Sequence, residues 1–197
     1  MSSLERAAKR KLQAEKILNE LKLIERWDTI GNCFLVGAAA YDLIVTPDID
    51  LETFNELPNP QIIMRELALL TQNKNVIELK YRDYTSTDFN GHYFKLIYKA
   101  DETEWNIDMW LFSSERSGAL SRDLVPFMKD NLTEESRMVI LDIKEALLKL
   151  NENYSSIFIY QAVLEFGIRH IDDFLEWAKN HNTTVPFHWQ PKLLNNQ

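Results

Sequence analysis

Hydrophobic and polar positions alternate in two distinct rhythms along the chain. From Leu4 to Ile24 the apolar residues Leu4, Ala8, Leu12, Ile17, Leu18, Leu21 and Ile24 recur near helical spacing. Ser2 and Glu5 have capping-box spacing at its start. These positions predict one long amphipathic helix ending before Gly31-Asn32. A short apolar run, Phe34-Leu35-Val36, then enters Gly37. Ala38 to Leu43 can begin a helix, which Pro47 stops. From Asp48 to Phe54 the period is two: Ile49 and Leu51 point one way, Asp48 and Asp50 the other. Asn59-Pro60 opens a helix reaching about Gln72. Val76–Arg82, His92–Lys99 and Glu104–Phe112 alternate as strands, with a connection over Asp83–Gly91.

Beyond Ser113 the pattern changes. Ser114 to Asp130, with Gly118 and Pro126, reads as irregular, and helices are predicted over Thr133–Leu150, Ser155–Phe166 and His170–Lys179. A tail is expected from Thr183. Tyr154, Phe158, Tyr160, Phe166, Phe174 and Trp177 recur at helical spacing, which favours core packing over a stacking wall for substrate. The element order defines an α+β chain: a mixed sheet flanked by helices, with a helical C-terminal part. Residues 1–113 are expected to form the α/β core including the first helix, and residues 114–197 a connecting segment and the helical part.

Composition narrows the function classes. Forty-five per cent hydrophobic and 26% charged residues suit a folded globular chain. The net charge of −8 argues against broad nucleic-acid binding, which depends on neutralising phosphates, and suits a cationic small molecule or a metal–nucleotide complex. Arg6, Lys9, Arg10, Lys11 and Lys16 make the first helix basic, a pattern usually found on a solvated face. Cys33 is the single cysteine and lies in an apolar strand, so it reads as a buried thiol. No signal peptide or membrane-length apolar run is visible, and a cytoplasmic protein is the expectation. His92, His170, His181 and His188 show no zinc-ligand spacing.

The candidate chemistry is carboxylate chemistry. Alternation puts Asp48 and Asp50 on one strand face, about 7 Å apart at the backbone. That face cannot be core, because two unpaired buried carboxylates cost several kcal/mol. Two converging carboxylates suit a hard cation such as Mg²⁺. Asp108 stands mid-strand, on the face of Asn106, Trp110 and Phe112 and opposite Trp105, Ile107, Met109 and Leu111. A carboxylate so placed needs a partner, and a metal is a natural one.

Leu35-Val36-Gly37-Ala38, then Asp48-Ile49-Asp50 eleven positions after Gly37, then Ile107-Asp108-Met109, resembles the nucleotidyltransferase superfamily that includes DNA polymerase beta and the antibiotic nucleotidyltransferases. The resemblance covers roughly residues 30 to 112. It implies a metal site with Asp48 and Asp50 holding two Mg²⁺ ions and Asp108 ligating the one nearest the acceptor hydroxyl, whose proton it would take. It implies an NTP co-substrate, ATP, with the terminal phosphates cradled at Gly37-Ala38, and transfer of a nucleoside monophosphate to a hydroxyl of a small, antibiotic-like acceptor. Lys80, Arg82 and Lys95 are candidates for phosphate contacts, although ordinary strand-face charges are the commoner role. The superfamily places Ser or Gly after the first Gly. Ala38 supplies a backbone N–H but no hydroxyl. Two alternatives follow: a toxin-type nucleotidyltransferase acting on protein or RNA, supported by the basic first helix, and a non-catalytic nucleotide-binding or interaction module. The oligomeric state is left open by the sequence.

Overall fold

A computed structural model of the chain describes residues 1–118, 120–183 and 189. The expected tail lies outside these residues except for Thr183 and Trp189, and His188 lies outside them too.

The first segment forms two helices rather than one, α1 (Ser3–Leu21) and α2 (Leu23–Asp28). Lys22 adopts left-handed backbone between them (φ 49°, ψ 44°). Leu21 and Leu23 are both buried, and two residues apart on an unbroken helix they would face nearly opposite ways. The break turns Leu23 and Trp27 onto the same core as Leu21. The buried stripe of α1 is Ala7, Ala14, Ile17, Leu18 and Leu21, whereas Ala8 and Leu12 face outward. Small alanines let α1 approach its neighbours closely, which a periodicity weighted toward large residues does not detect. The Ser2–Glu5 capping box forms as read.

Five strands follow: β1 (Asn32–Val36), β2 (Asp48–Asn55), β3 (Val76–Asp83), β4 (His92–Ala100) and β5 (Thr103–Ser113). Their spatial order is β1-β2-β5-β4-β3, with β2 and β5 parallel and every other pair antiparallel. The sheet is therefore mixed. A four-residue helix, α3 (Gly37–Ala40), leads out of β1, and α4 (Pro60–Leu69) connects β2 to β3. One sheet face carries Ile49, Leu51, Phe94, Leu96, Ile107, Met109 and Leu111, all fully buried beneath α1, α2 and α4. Trp27 anchors this core, edge-on to Phe94 at 5.5 Å, with its indole N–H donating to the Met109 sulfur. The Cys33 thiol packs against it, and burial pushes its pKa up to about 11, as suits an unreactive thiol.

A second core joins the start of α1 to the helices α6 (Glu134–Leu150), α7 (Ser156–Leu164) and α8 (Ile171–Lys179). Phe158, Tyr160, Phe174 and Trp177 are buried in it, and Phe166 is half exposed. The basic turns of α1 face acidic groups of the protein itself: Arg6 and Arg10 pair with Glu145, and Lys11 with Asp42 at 2.5 Å. These pairs tie α1 to α6 through Glu145 and to the turn after α3 through Asp42.

The segment read as irregular contains a helix, α5 (Ser121–Asn131), with Pro126 inside it. Its own N-cap residue, Leu120, offers no side-chain acceptor. The acceptor comes from β2: Glu52, 6% exposed, accepts from the backbone N–H of Ser121 at 3.1 Å and of Arg122 at 3.0 Å. Arg122 also lies 3.5 Å above the Phe54 ring. These partners are some seventy residues from α5 in sequence, so local propensity cannot report them. Glu52→Ala should destabilise the fold by about 2–3 kcal/mol, since it orphans two charge-assisted bonds at a helix start. Urea denaturation measures this; an unchanged midpoint would show that α5 does not depend on Glu52.

Candidate active site

The parallel pairing of β2 with β5 sets Asp50 directly opposite Asp108, and Asp48 opposite Asn106. All three aspartates stand on the sheet face away from the α1–α4 core and line one cavity of about 1050 Å³. Gly37, Ala38, Tyr41, Lys144 and Tyr160 line it too. The structure therefore brings five of the eight sequence candidates together: Gly37, Ala38, Asp48, Asp50 and Asp108. Lys95, Lys80 and the exposed Arg82 lie off this cavity. Lys95 pairs directly across the strands with Asp108, its ammonium 3.8 Å from the carboxylate, and Lys80 is 62% exposed on edge strand β3 near Glu78.

Gly37 has φ +64°, and a Cβ there would sit 2.3 Å from Asp50 Oδ2. Only glycine permits this approach of backbone to carboxylate. The following helix has four residues, too few to supply a substantial dipole. Any phosphate held here would meet the N–H groups of a tight turn, and Ala38 provides one as readily as serine would.

The electrostatics centre on Asp50. Its carboxyl is pushed up to about 7, first by burial and then by the negative charges of Asp108 and Asp48, with Lys144 pulling the other way. Lys144, on α6, is 7% exposed and donates to the Leu43 carbonyl at 2.9 Å. Burial lowers its ammonium to about 8, against the pull of Asp50 and Asp48. Asp48 accepts from the Thr46 hydroxyl at 2.7 Å, and Asp108 from the Tyr93 hydroxyl at 2.5 Å. With two carboxylates turned to these hydroxyls, no three of the described His, Cys, Asp or Glu side chains are gathered as a ready metal cage. The donor set still has the right chemistry for a hard divalent ion: oxygen ligands only, in negative excess over one buried ammonium.

Sequence reasoning missed Lys144, Tyr93, Thr46 and Glu52 as members or supports of the site. Lys144 carried a signal, since it falls four residues after Ile140 and three before Leu147 on the apolar stripe of α6. A lysine on such a stripe is either misplaced or needed. Tyr93 gave none, because its meeting with Asp108 depends on the β4–β5 register.

The architecture is the nucleotidyltransferase fold. The chain superposes on the non-canonical poly(A) polymerase complex GLD-2–GLD-3 with a TM-score of 0.54 at 14% identity, covering 84% of this chain and 58% of that one. It matches the GLD-2/RNP-8 complex at 0.55 and 11% identity, covering 95% and 68%. It matches the polymerase core of TRAMP, an RNA surveillance complex, at 0.54 and 14%, covering 87% and 59%. The chain thus spans less than two thirds of the first and third of these. No family model matches it, and no curated protein matches it by sequence. Among the described residues, no helix is long and apolar enough to cross a membrane.

Proposed function

We propose that this protein is a Mg²⁺-dependent nucleotidyltransferase that moves a nucleoside monophosphate from an NTP, ATP in the first instance, to an acceptor hydroxyl. The observation that carries the reading is the facing of Asp50 and Asp108 across β2 and β5, with Asp48 on the same face, in a cavity shared with Gly37 and Lys144. Asp48, Asp50 and Asp108 would hold the metal. Bound there, Mg²⁺ would neutralise phosphate charge and acidify the acceptor hydroxyl. The chain's own groups do the rest. The Gly37-Ala38 turn presents backbone N–H groups to the terminal phosphates. Lys144 sets an ammonium in the same wall, where burial strengthens its attraction for phosphate. Asp108 receives the acceptor's proton. Tyr93 and Lys95 orient Asp108 from the β4 side.

The net charge points to a small cationic acceptor of the antibiotic type. The basic first helix, which would have favoured protein or RNA, is engaged internally by Glu145 and Asp42.

Incubation with Mg²⁺, α-labelled ATP and a panel of hydroxylated acceptors tests the reading. Label should pass to an acceptor with wild type and fail to pass with Asp108→Asn. Calorimetry with MgATP separates this from a non-catalytic module: binding without transfer to any acceptor would establish the module, and no binding would remove both.

A further inference from the structure

The two edges of the sheet differ. Strand β1 has α2 and α5 packed against it, whereas β3 packs chiefly against β4 and the short turn after α4, Leu70–Gln72. Tyr84 donates its backbone N–H to the Gly91 carbonyl at 2.9 Å, continuing the β3–β4 register. Alternation along an antiparallel ladder therefore turns the backbone groups of Leu79, Tyr81 and Asp83 outward. They form an open row of donors and acceptors, and such a row pairs with another strand unless something prevents it.

The surface along this edge is apolar. Thirteen large hydrophobic side chains are exposed among the described residues, and five of them, Leu57, Ile62, Leu69, Ile77 and Tyr81, fall between positions 57 and 81. Such concentration marks an interaction surface, whereas scattered exposure does not. A groove of about 540 Å³ lies between α4 and β3, with Met64, Ala68 and Tyr81 in its wall. Ile77 has no partner on β4, because the register shifts between Val76 and Glu78.

Charge indicates what pairs with this edge. Residues 56–83 carry four acidic and four basic side chains, so this stretch is neutral in a chain of net charge −8. A second copy meets least repulsion at such a surface. Two β3 strands related by a two-fold axis face each other with the same residues on both sides. Centring the pair on Glu78 or on Lys80 sets like charges face to face, and centring it on Tyr81 sets Lys80 against the partner's Arg82. Centring it on Leu79 sets Glu78 opposite the partner's Lys80 twice. The same register brings Ile77 opposite the partner's Tyr81, at the mouth of the groove. Charges on an edge strand commonly block pairing; in this register they select it.

We propose that this protein forms a two-fold symmetric homodimer by antiparallel pairing of β3 with β3 of a second copy, centred on Leu79. The two sheets become one, and both carboxylate faces lie on the same side of it.

Sedimentation equilibrium of the full chain over a range of protein concentrations tests this. Wild type should pass from monomer to dimer. Glu78 and Lys80 have side chains 46% and 62% exposed, so the monomer fold accommodates charge exchange at both, which melting temperatures check. Glu78→Lys and Lys80→Glu should each raise the dimer Kd on the order of tenfold, because two attractive cross-strand pairs become repulsive. The double substitution Glu78→Lys/Lys80→Glu should return Kd to the wild-type value. An equimolar mixture of the two single variants should form a heterodimer more tightly than either variant pairs with itself. A wild type that stays monomeric at every concentration overturns the proposal. A dimer indifferent to the single exchanges, or one that the double exchange fails to recover, uses another surface or register and overturns it as well.

Discussion

Asp50→Asn should lower nucleotidyl transfer by on the order of 10³-fold and at the same time raise the melting temperature of the metal-free protein. The first effect follows from position. Asp50 faces Asp108 across two strands and is pressed against the backbone of Gly37, so removing its charge removes the centre of the proposed metal site, a loss comparable to deleting a transition-state electrostatic contact. The second follows from its pKa. The folded state raises the Asp50 carboxyl from 3.8 to about 7, so folding favours its protonated form. Its contribution to stability is fully present below about pH 4 and is lost as pH rises through about 7. At pH 8 the wild type carries that penalty in full, and the near-isosteric amide does not. A gain of roughly 2–8 °C is expected, the shift that ~1–2 kcal/mol produces in a domain of this size. Thermal melts from pH 4 to 8 should slope downward for wild type and less for the variant. Added Mg²⁺ should stabilise wild type and leave the variant unmoved. Equal Mg²⁺ responses would place the metal elsewhere or nowhere.

Lys144→Met should weaken nucleotide binding by about 10–100-fold with little change in stability. Methionine keeps the length and packing of the lysine stem. Loss of the donor to Leu43 is offset by removal of a desolvated charge. What disappears is the only buried ammonium among the described residues. The wild type provides an internal check. Burial brings this ammonium down to about 8, so its charge is present below that pH and lost above it. MgATP affinity measured by calorimetry should fall as pH rises through about 8, and the bend should be missing in Lys144→Met. The same bend in both proteins would show that Lys144 does not meet the nucleotide.

The three aspartates illustrate how far local reasoning reaches. A strand has a period of two, and charged groups cannot share a face with Ile49, Leu51, Ile107 and Met109, so the side of the sheet was legible for each aspartate separately. That Asp50 and Asp108 face each other was not, because the chain between them contains α4 and two other strands and the pairing is parallel. The resemblance to nucleotidyltransferases supplied that step, and the fold agrees with it. Local reasoning failed at Ser114–Asp130, where proline and the lack of a local cap suggested irregular chain. Glu52 caps α5 from a different strand. It failed again at Lys22, where a helical period continues in sequence but the buried leucines on either side, Leu21 and Leu23, require the backbone to turn.

By itself, the sequence determined most of the elements, the faces of the strands and the identity of the carboxylates. Each depends on side-chain periodicity and on the cost of burying charge, both of which act within a few residues. Tertiary structure alone decided which carboxylates meet, that Lys144 from the C-terminal helices completes their wall, and that Tyr93 holds Asp108. Those outcomes depend on strand order, register and helix docking, which are set by how whole elements pack and are written in no single stretch of the chain.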